Sequence, residues 1–354
     1  MKGLILAAGL GTRLRPLTSL RPKSIIAVAN KPIIIHAIDN LVEAGIRQIG
    51  IVVSHDTIDY LKGTLNSYAQ AELHYIMQAP PLGLAHAVQV SRGFLGDEPF
   101  VMYLGDNLFE HGIAEFVTAF KPQQGISAVL ALVEVADPRS LGVAVVEGDR
   151  IVRLVEKPQV PPSNLAVAGV YVFDPTIHRM VEGLKPGAKG EYQITDAIQR
   201  LIENGQRVVP VKVSGWWKDT GNPEDILDAN RLMLMKLTRR LEGELEQAEL
   251  IGPVVVEAGA VVRRSTVVGP AIIGPQAVVE DAYIGPFTSL GRGVIVRDAE
   301  VEYAVIEEAS RLEAVRHRIR SSLIGAQVVV SGRSHRPSSH RLILGDKSQV
   351  EVQE

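Results

Sequence analysis

Along the first two thirds of the chain, short apolar runs alternate with stretches in which apolar residues recur at helical spacing. The runs Gly3–Ala8, Gln48–Ser54, Glu72–Ile76, Phe100–Leu104, Ser127–Val135, Val167–Phe173 and Arg207–Val213 read as strands. Several are apolar without interruption, the pattern of a sheet covered on both faces. Helix-period segments, Ile33–Ala44, Thr57–Tyr68, Leu84–Arg92 and Ile113–Phe120, lie between the early strands. The alternation predicts an α/β domain with a doubly wound, mostly parallel sheet. One hairpin interrupts it, with arms Gly142–Val146 and Ile151–Val155 about the turn Glu147–Arg150.

Asn222-Pro223-Glu224-Asp225 then opens a helix, because Asn caps, Pro suits the first turn and acids favour the positive end of the dipole. Its charged second half reads as a connector running to about Gln247. The pattern changes after Leu250. Apolar-Gly-Pro steps recur, and Ile272, Val278, Ile284, Leu290 and Val296 fall six residues apart. That interval predicts a left-handed parallel β-helix with one inward aliphatic per short strand. A β-sandwich with Gly-Pro turns would not require it. Glu300–Arg320 is the least regular part. The expected divisions are 1–236 for the α/β domain, 237–249 for the connector helix end and 250–354 for the β-helix.

Composition narrows the function classes. A chain of 354 residues suits two domains. A net charge of −3 gives no basic field, so neither nucleic acid nor an anionic membrane is expected as a partner. The absence of cysteine excludes disulfides and thiolate metal sites. The apolar start is too short for a signal-peptide core, and no run approaches the roughly 18 apolar residues of a membrane span. The cytoplasm is the default compartment.

The first strand leads into Gly9-Leu10-Gly11-Thr12-Arg13-Leu14, a glycine-rich turn whose backbone N–H groups can approach phosphate oxygens. Leu14 stands where a dinucleotide fingerprint needs glycine, and Pro22 stands before Lys23-Ser24 where an ATPase P-loop needs glycine. What remains is a phosphate loop containing Arg13, with Lys23 ten residues later. Asp106 ends another apolar strand, and Asp219 lies in Trp217-Lys218-Asp219-Thr220-Gly221. Two carboxylates from distant strand ends facing a phosphate loop suit Mg²⁺ bridging a triphosphate.

Together these segments resemble the sugar nucleotidylyltransferases. The resemblance is carried by Ala7–Leu14 with Pro22-Lys23, then Gln78, Gly83-Leu84, Leu104–Asn107, Glu156-Lys157-Pro158, Gly190–Asp196 and Trp217–Gly221, and it covers about residues 1–235. Within the family the set is similar to the branch joining dTTP to glucose 1-phosphate, and the hexapeptide-like tail ending near Leu344-Gly345-Asp346 to its long form. The resemblance implies a Rossmann-like nucleotidyltransferase fold. It also implies that Gly9, Gly11, Thr12 and Arg13 hold the triphosphate, and that Lys23 contacts phosphate at the reacting end. Gln78 and Gly83 would read the pyrimidine, and Asp106 and Asp219 would bind Mg²⁺. Gly142, Glu156, Lys157, Ala168 and Gly169 would line the sugar-phosphate pocket, with Lys157 on its phosphate. Leu141, Tyr192 and Gln193 depart from the family pattern, which bears on sugar selectivity.

The expected reaction needs no general base, since a sugar phosphate is already a nucleophile. Arg13, Lys23, Lys157 and Mg²⁺ would offset the repulsion between two anions. No histidine lies in a matched motif, and His36, His55, His86 and His111 read as surface or helix-end residues. Rival readings are a UTP-using or dual-specificity enzyme, an inert regulatory subunit, and a bifunctional enzyme with an acyltransferase tail. The tail's expected task is homo-oligomer assembly.

Overall fold

The computed structural model describes residues 1–332 apart from Leu10, Leu20, Ala188 and Lys189. His335, His340 and Leu344-Gly345-Asp346 lie outside the described residues.

The α/β part is built on parallel strands in the order Glu72–Met77, Gln48–Val53, Lys2–Leu6, Phe100–Leu104. Strand order therefore reverses beside Lys2–Leu6. Ligands of open α/β sheets sit outside the carboxyl ends of strands at such a reversal. The strands on either side deliver Gly9–Arg13 and Asp106 to it. Helices Ile33–Glu43, Ile58–Leu65, Leu84–Val90 and Ala114–Ala119 match the helical segments to within a few residues at each end.

The other half of the sheet is less parallel than expected. Leu165–Phe173 runs antiparallel to both Phe100–Leu104 and Ile126–Glu134, which itself pairs parallel with Arg207–Lys212. The reason lies in the connection. A parallel return needs a crossover, usually helical, whereas Glu134 and Leu165 are joined by the hairpin Gly142–Glu147 and Arg150–Glu156. Two apolar layers, around Leu4, Phe100 and Phe173 on one face and Ile5, Tyr103 and Phe116 on the other, cover the sheet.

The helix opened by Asn222 is shorter than its charge pattern suggests. Asn222 accepts a hydrogen bond from Asp225 N–H at 2.8 Å, but the helix spans only Pro223–Leu234. No connector helix occupies 237–249. Arg240–Leu241, Glu244–Glu246 and Glu249–Ile251 already form the first coil of the parallel stack, pairing with strands fifteen to seventeen residues on. Leu241 and Leu245 are spaced as on a helix, yet both are exposed at this outer coil. Gly243 permits the pairing, since a Cβ there would lie 2.5 Å from Ala260 O.

The β-helix is present, with a corrected period. Val262, Val279 and Val296 stack in register, one coil every 17 residues. Strands carry an inward small residue and, two positions on, an inward aliphatic, as in Ala271/Ile273, Ala277/Val279 and Ala282/Ile284. Ile284, Leu290 and Val296 point inward as expected, but Ile273 and Val279, rather than Ile272 and Val278, continue the series. Strand intervals of six, six and five residues shift the frame once per coil. At one corner Arg264, Asp281 and Asp298 stack, all with φ of 44–50°. Register shifts between Ala299 and Val301, within the segment read as least regular.

Ile272 has a different task. With Val255 it points outward and is buried against Leu234 of the preceding helix. Val255, Ile272, Ser289, Val305 and Leu323 form one outward column of successive coils. Leu323 packs into a cluster with Leu14, Ile26 and Val28 of the α/β domain. Asn230, fully buried, closes the seam by accepting from Ala29 N–H and Ser289 Oγ, both at 2.8 Å.

Candidate functional site

The phosphate loop is anchored from below. Leu14 is 1 % exposed, while Thr12 and Arg13 stay at the surface. Gly11 has φ 58°, and a Cβ there would lie 2.9 Å from Lys23 Cβ. The loop and the turn bearing Lys23 are thus in backbone-to-side-chain contact, which only glycine allows.

Lys23 Nζ is buried between two carboxylates, 2.7 Å from Asp106 Oδ2 and 3.6 Å from Asp219 Oδ1. A short ribbon brings those acids together: Trp217–Asp219 pairs antiparallel with Asn107–Phe109, setting Asp219 opposite Asn107. Three-residue strands carry no readable periodicity, so the sequence did not expose this ribbon. Asn107 locks it, donating to Asp106 Oδ1 at 2.8 Å and accepting from Trp217 Nε1 at 2.7 Å. Thr220 Oγ1 donates to Asp106 O at 2.8 Å. Burial and the neighbouring Asp106 hold the Asp219 carboxyl above the usual carboxylate range, while Lys23 and Arg13 pull it back.

This pair fits a divalent cation. Asp219 Oδ1 is buried and accepts no hydrogen bond, and two mutually repelling carboxylates are an oxygen-donor set suited to Mg²⁺. Among the described residues no group of three or more acids or histidines could hold a metal ion. The remaining ligands would have to be water and substrate phosphates.

Gly142, Glu156 and Lys157, expected at the sugar phosphate, converge. Lys157 Nζ is 3.0 Å from Glu156 Oε1, and Thr195 Oγ1 donates to Glu156 Oε2 at 3.1 Å. A Cβ on Gly142 would lie 2.8 Å from Thr195 Cγ2. Lys157 sits at φ 41°, a region costly for residues with a side chain and one that concentrates at ligand sites. Gly169, at φ 77°, packs instead against the ribbon, since a Cβ there would lie 3.0 Å from the Asn107 amide. Ala168 does not line the pocket as expected. Its methyl is fully buried in the core, leaving only its backbone for any contact.

Gln78 and Gly83, expected to read the base, meet at the start of Leu84–Val90. Gln78 Nε2 donates to Gly83 O at 2.9 Å and faces His86 Nδ1 at 3.1 Å. Gly83 O can only accept, so it fixes which end of the amide is the NH₂. Both N–H bonds are then used, and Oε1 is left as the acceptor. His86 must keep its proton on Nε2, and burial lowers its pKa, favouring the neutral ring. His86 therefore orients the Gln78 amide, a contact its sequence context did not suggest. His55 and His111 are exposed as read, but His36 is buried and hydrogen-bonds through Nε2 to Val28 O at 3.1 Å. Tyr192 also joins the loop before this helix: its N–H donates to Leu82 O and its carbonyl accepts from Ala85 N–H.

The chain is 44% identical over 357 residues to a glucose-1-phosphate thymidylyltransferase of Streptomyces antibioticus, covering 100% of each. It is 43% identical to the Streptomyces griseus enzyme of the same name, covering 99% of each. The crystal structure of a UDP-glucose pyrophosphorylase complexed with UDP-glucose superposes with a TM-score of 0.60 at 28% identity, over 66% of this chain and 98% of that one. The nucleotidyl transferase family model matches residues 2–236, the portion holding every site residue described above. The chain belongs to the nucleotidyl transferase family.

Proposed function

We propose that the chain transfers a thymidylyl group from dTTP to glucose 1-phosphate, giving dTDP-glucose and pyrophosphate. The observation that carries this reading is the meeting of Lys23, Asp106 and Asp219 beside the Gly9–Arg13 loop. The full-length similarity to two glucose-1-phosphate thymidylyltransferases supports the choice of substrates.

In this reading Gly9, Gly11, Thr12 and Arg13 cradle the triphosphate. Asp106 and Asp219 would hold Mg²⁺, which when bound would neutralise phosphate charge. Lys157 receives the sugar phosphate and Lys23 the phosphates at the reacting end. A sugar-phosphate oxygen bonds to the α-phosphorus, and the bond from that phosphorus to the bridging oxygen breaks, releasing pyrophosphate. The protein's contribution is alignment and cationic stabilisation of the added charge. Gln78 offers an acceptor through Oε1, which suits the N3–H of thymine and opposes the N3 lone pair of cytosine. Uracil carries the same N3–H, so UTP use is the second reading. A methyl pocket separates the two by about 1–3 kcal/mol. A cytoplasmic setting and assembly through the β-helix complete the proposal, the latter open to light scattering.

The test is pyrophosphate release with Mg²⁺ and glucose 1-phosphate, comparing dTTP, UTP and dCTP. Turnover with dTTP and rejection of dCTP is expected. Efficient use of dCTP would refute the base assignment, and silence with every triphosphate and several sugar phosphates would refute the activity.

A further inference from the structure

The turn carrying Lys23 is gripped from the other domain. Glu307 lies on the β-helix, 280 residues along the chain, and is 6 % exposed. Its Oε1 accepts from Ala27 N–H at 3.0 Å, and its other oxygen pairs with the Arg21 guanidinium. Arg21 stands two residues before Lys23 and Ala27 four after, so one carboxylate holds both ends of the turn. Between them, Ile26 N–H donates to Lys23 O at 3.0 Å, forming a single helical turn too short to stand alone. Asn30 Nδ2, just beyond, donates to Leu290 O of the β-helix at 2.7 Å.

We propose that Glu307 is a positioning residue for nucleotidyl transfer, clamping the Lys23 turn so that the ammonium stays aimed between Asp106 and Asp219. The inference rests on the role proposed for Lys23 and extends it: the β-helix completes the scaffold of the α/β site. An ammonium on a four-carbon stem has many rotamers, and catalysis by alignment is sensitive to loosening of the backbone that carries it. Burial works against the Arg21 charge, and Glu308 beside it acts in the opposite sense. The Arg21–Glu307 pair itself is largely withdrawn from water, a kind of ion pair that is costly to break by removing one partner.

Three variants of the full chain test this: Glu307→Ala, Glu307→Gln and Val305→Ala. The last loosens the same seam without touching the clamp. Hydrogen exchange of residues 21–28 is read beside pyrophosphate-release kinetics. Glu307→Ala is expected to cut amide protection of the turn and kcat each by about tenfold, with the KM for glucose 1-phosphate little changed. Glu307→Gln, which keeps an acceptor for Ala27 N–H but loses the ion pair with Arg21, should recover only part of both, and Val305→Ala should leave both near wild type. Unchanged protection in Glu307→Ala would overturn the clamp, whatever the activity. Equal losses in Val305→Ala would overturn it in favour of general docking. Absence of turnover in the wild type would instead count against the proposed reaction, leaving the exchange data to decide the clamp.

Discussion

The α/β domain and the β-helix are made of the same aliphatic strands but handle charge in opposite ways. In the α/β domain, strand ends are free to stop, and polar groups are drawn into the crevice beyond them: Lys23, Gln78 and Asn107 are all under 9 % exposed. In the β-helix every strand end turns a corner into the next strand. Its interior is lined by aliphatics, and charges form ladders outside, such as Arg264, Glu280, Arg297 and Glu313. Chemistry collects where chains end in a buried place. A continuous coil offers no such place, except where it meets another body, and that is where Glu307 is buried.

The sharpest way to break this contrast is to remove a buried charge from the crevice. Lys23→Ala is expected to lower kcat/KM by about 10²–10³-fold while the fold persists, the scale of losing one preorganised stabiliser. Steady-state kinetics with circular dichroism would decide it. In the β-helix the comparable injury is to packing. Ile284→Ala should cost about 2–5 kcal/mol, felt mainly by neighbouring coils. Hydrogen exchange should show lost protection around Val267 and Val301 while Lys2–Leu6 stays protected.

Buried polarity also makes the α/β domain the acid-sensitive one. Burial pushes His36 down to about 4 from 6.5, despite its hydrogen bond to Val28. The unfolded chain therefore takes up the proton first as pH falls. His36 favours the fold above pH 6.5 and withdraws that support on the way to about 4. The loss by pH 5 should be about 2 kcal/mol, and urea titrations at pH 7.5 and 5 should differ less in His36→Gln than in wild type. The smallest effect belongs to the outer ladders. Arg297→Ala, removing contacts to exposed Glu280 and Glu313, should leave the unfolding midpoint unchanged in physiological salt.

Much of this was legible because periodicity reports burial. Continuous apolar runs located the parallel strands, and Gly9 and Gly11 marked a tight turn straight after the first of them. Ile272 shows the limit of that reasoning. It is buried like its inward neighbours but against Leu234, and pattern alone cannot tell an inner wall from a docking wall. The connector reading failed for a different reason, since the charged run up to Gln247 suits the exposed outer face of a first coil as well as a helix. The Asn107–Asp219 ribbon and the Glu307 clamp were hidden because both join residues more than a hundred positions apart through contacts that leave no local pattern.

The 17-residue coil also makes the rod a ruler. Each rung advances about 4.8 Å along the axis, and the column Val255, Ile272, Ser289 counts the rungs between the first coil and the seam. Excising one whole coil would leave every remaining coil correctly packed. Taken before the seam, the excision would still leave Ser289, Leu290 and Glu307 one rung short of Asn230, Asn30 and Ala27. Rod length is thus a quantised quantity, fixed by where its graduations must meet the neighbouring domain.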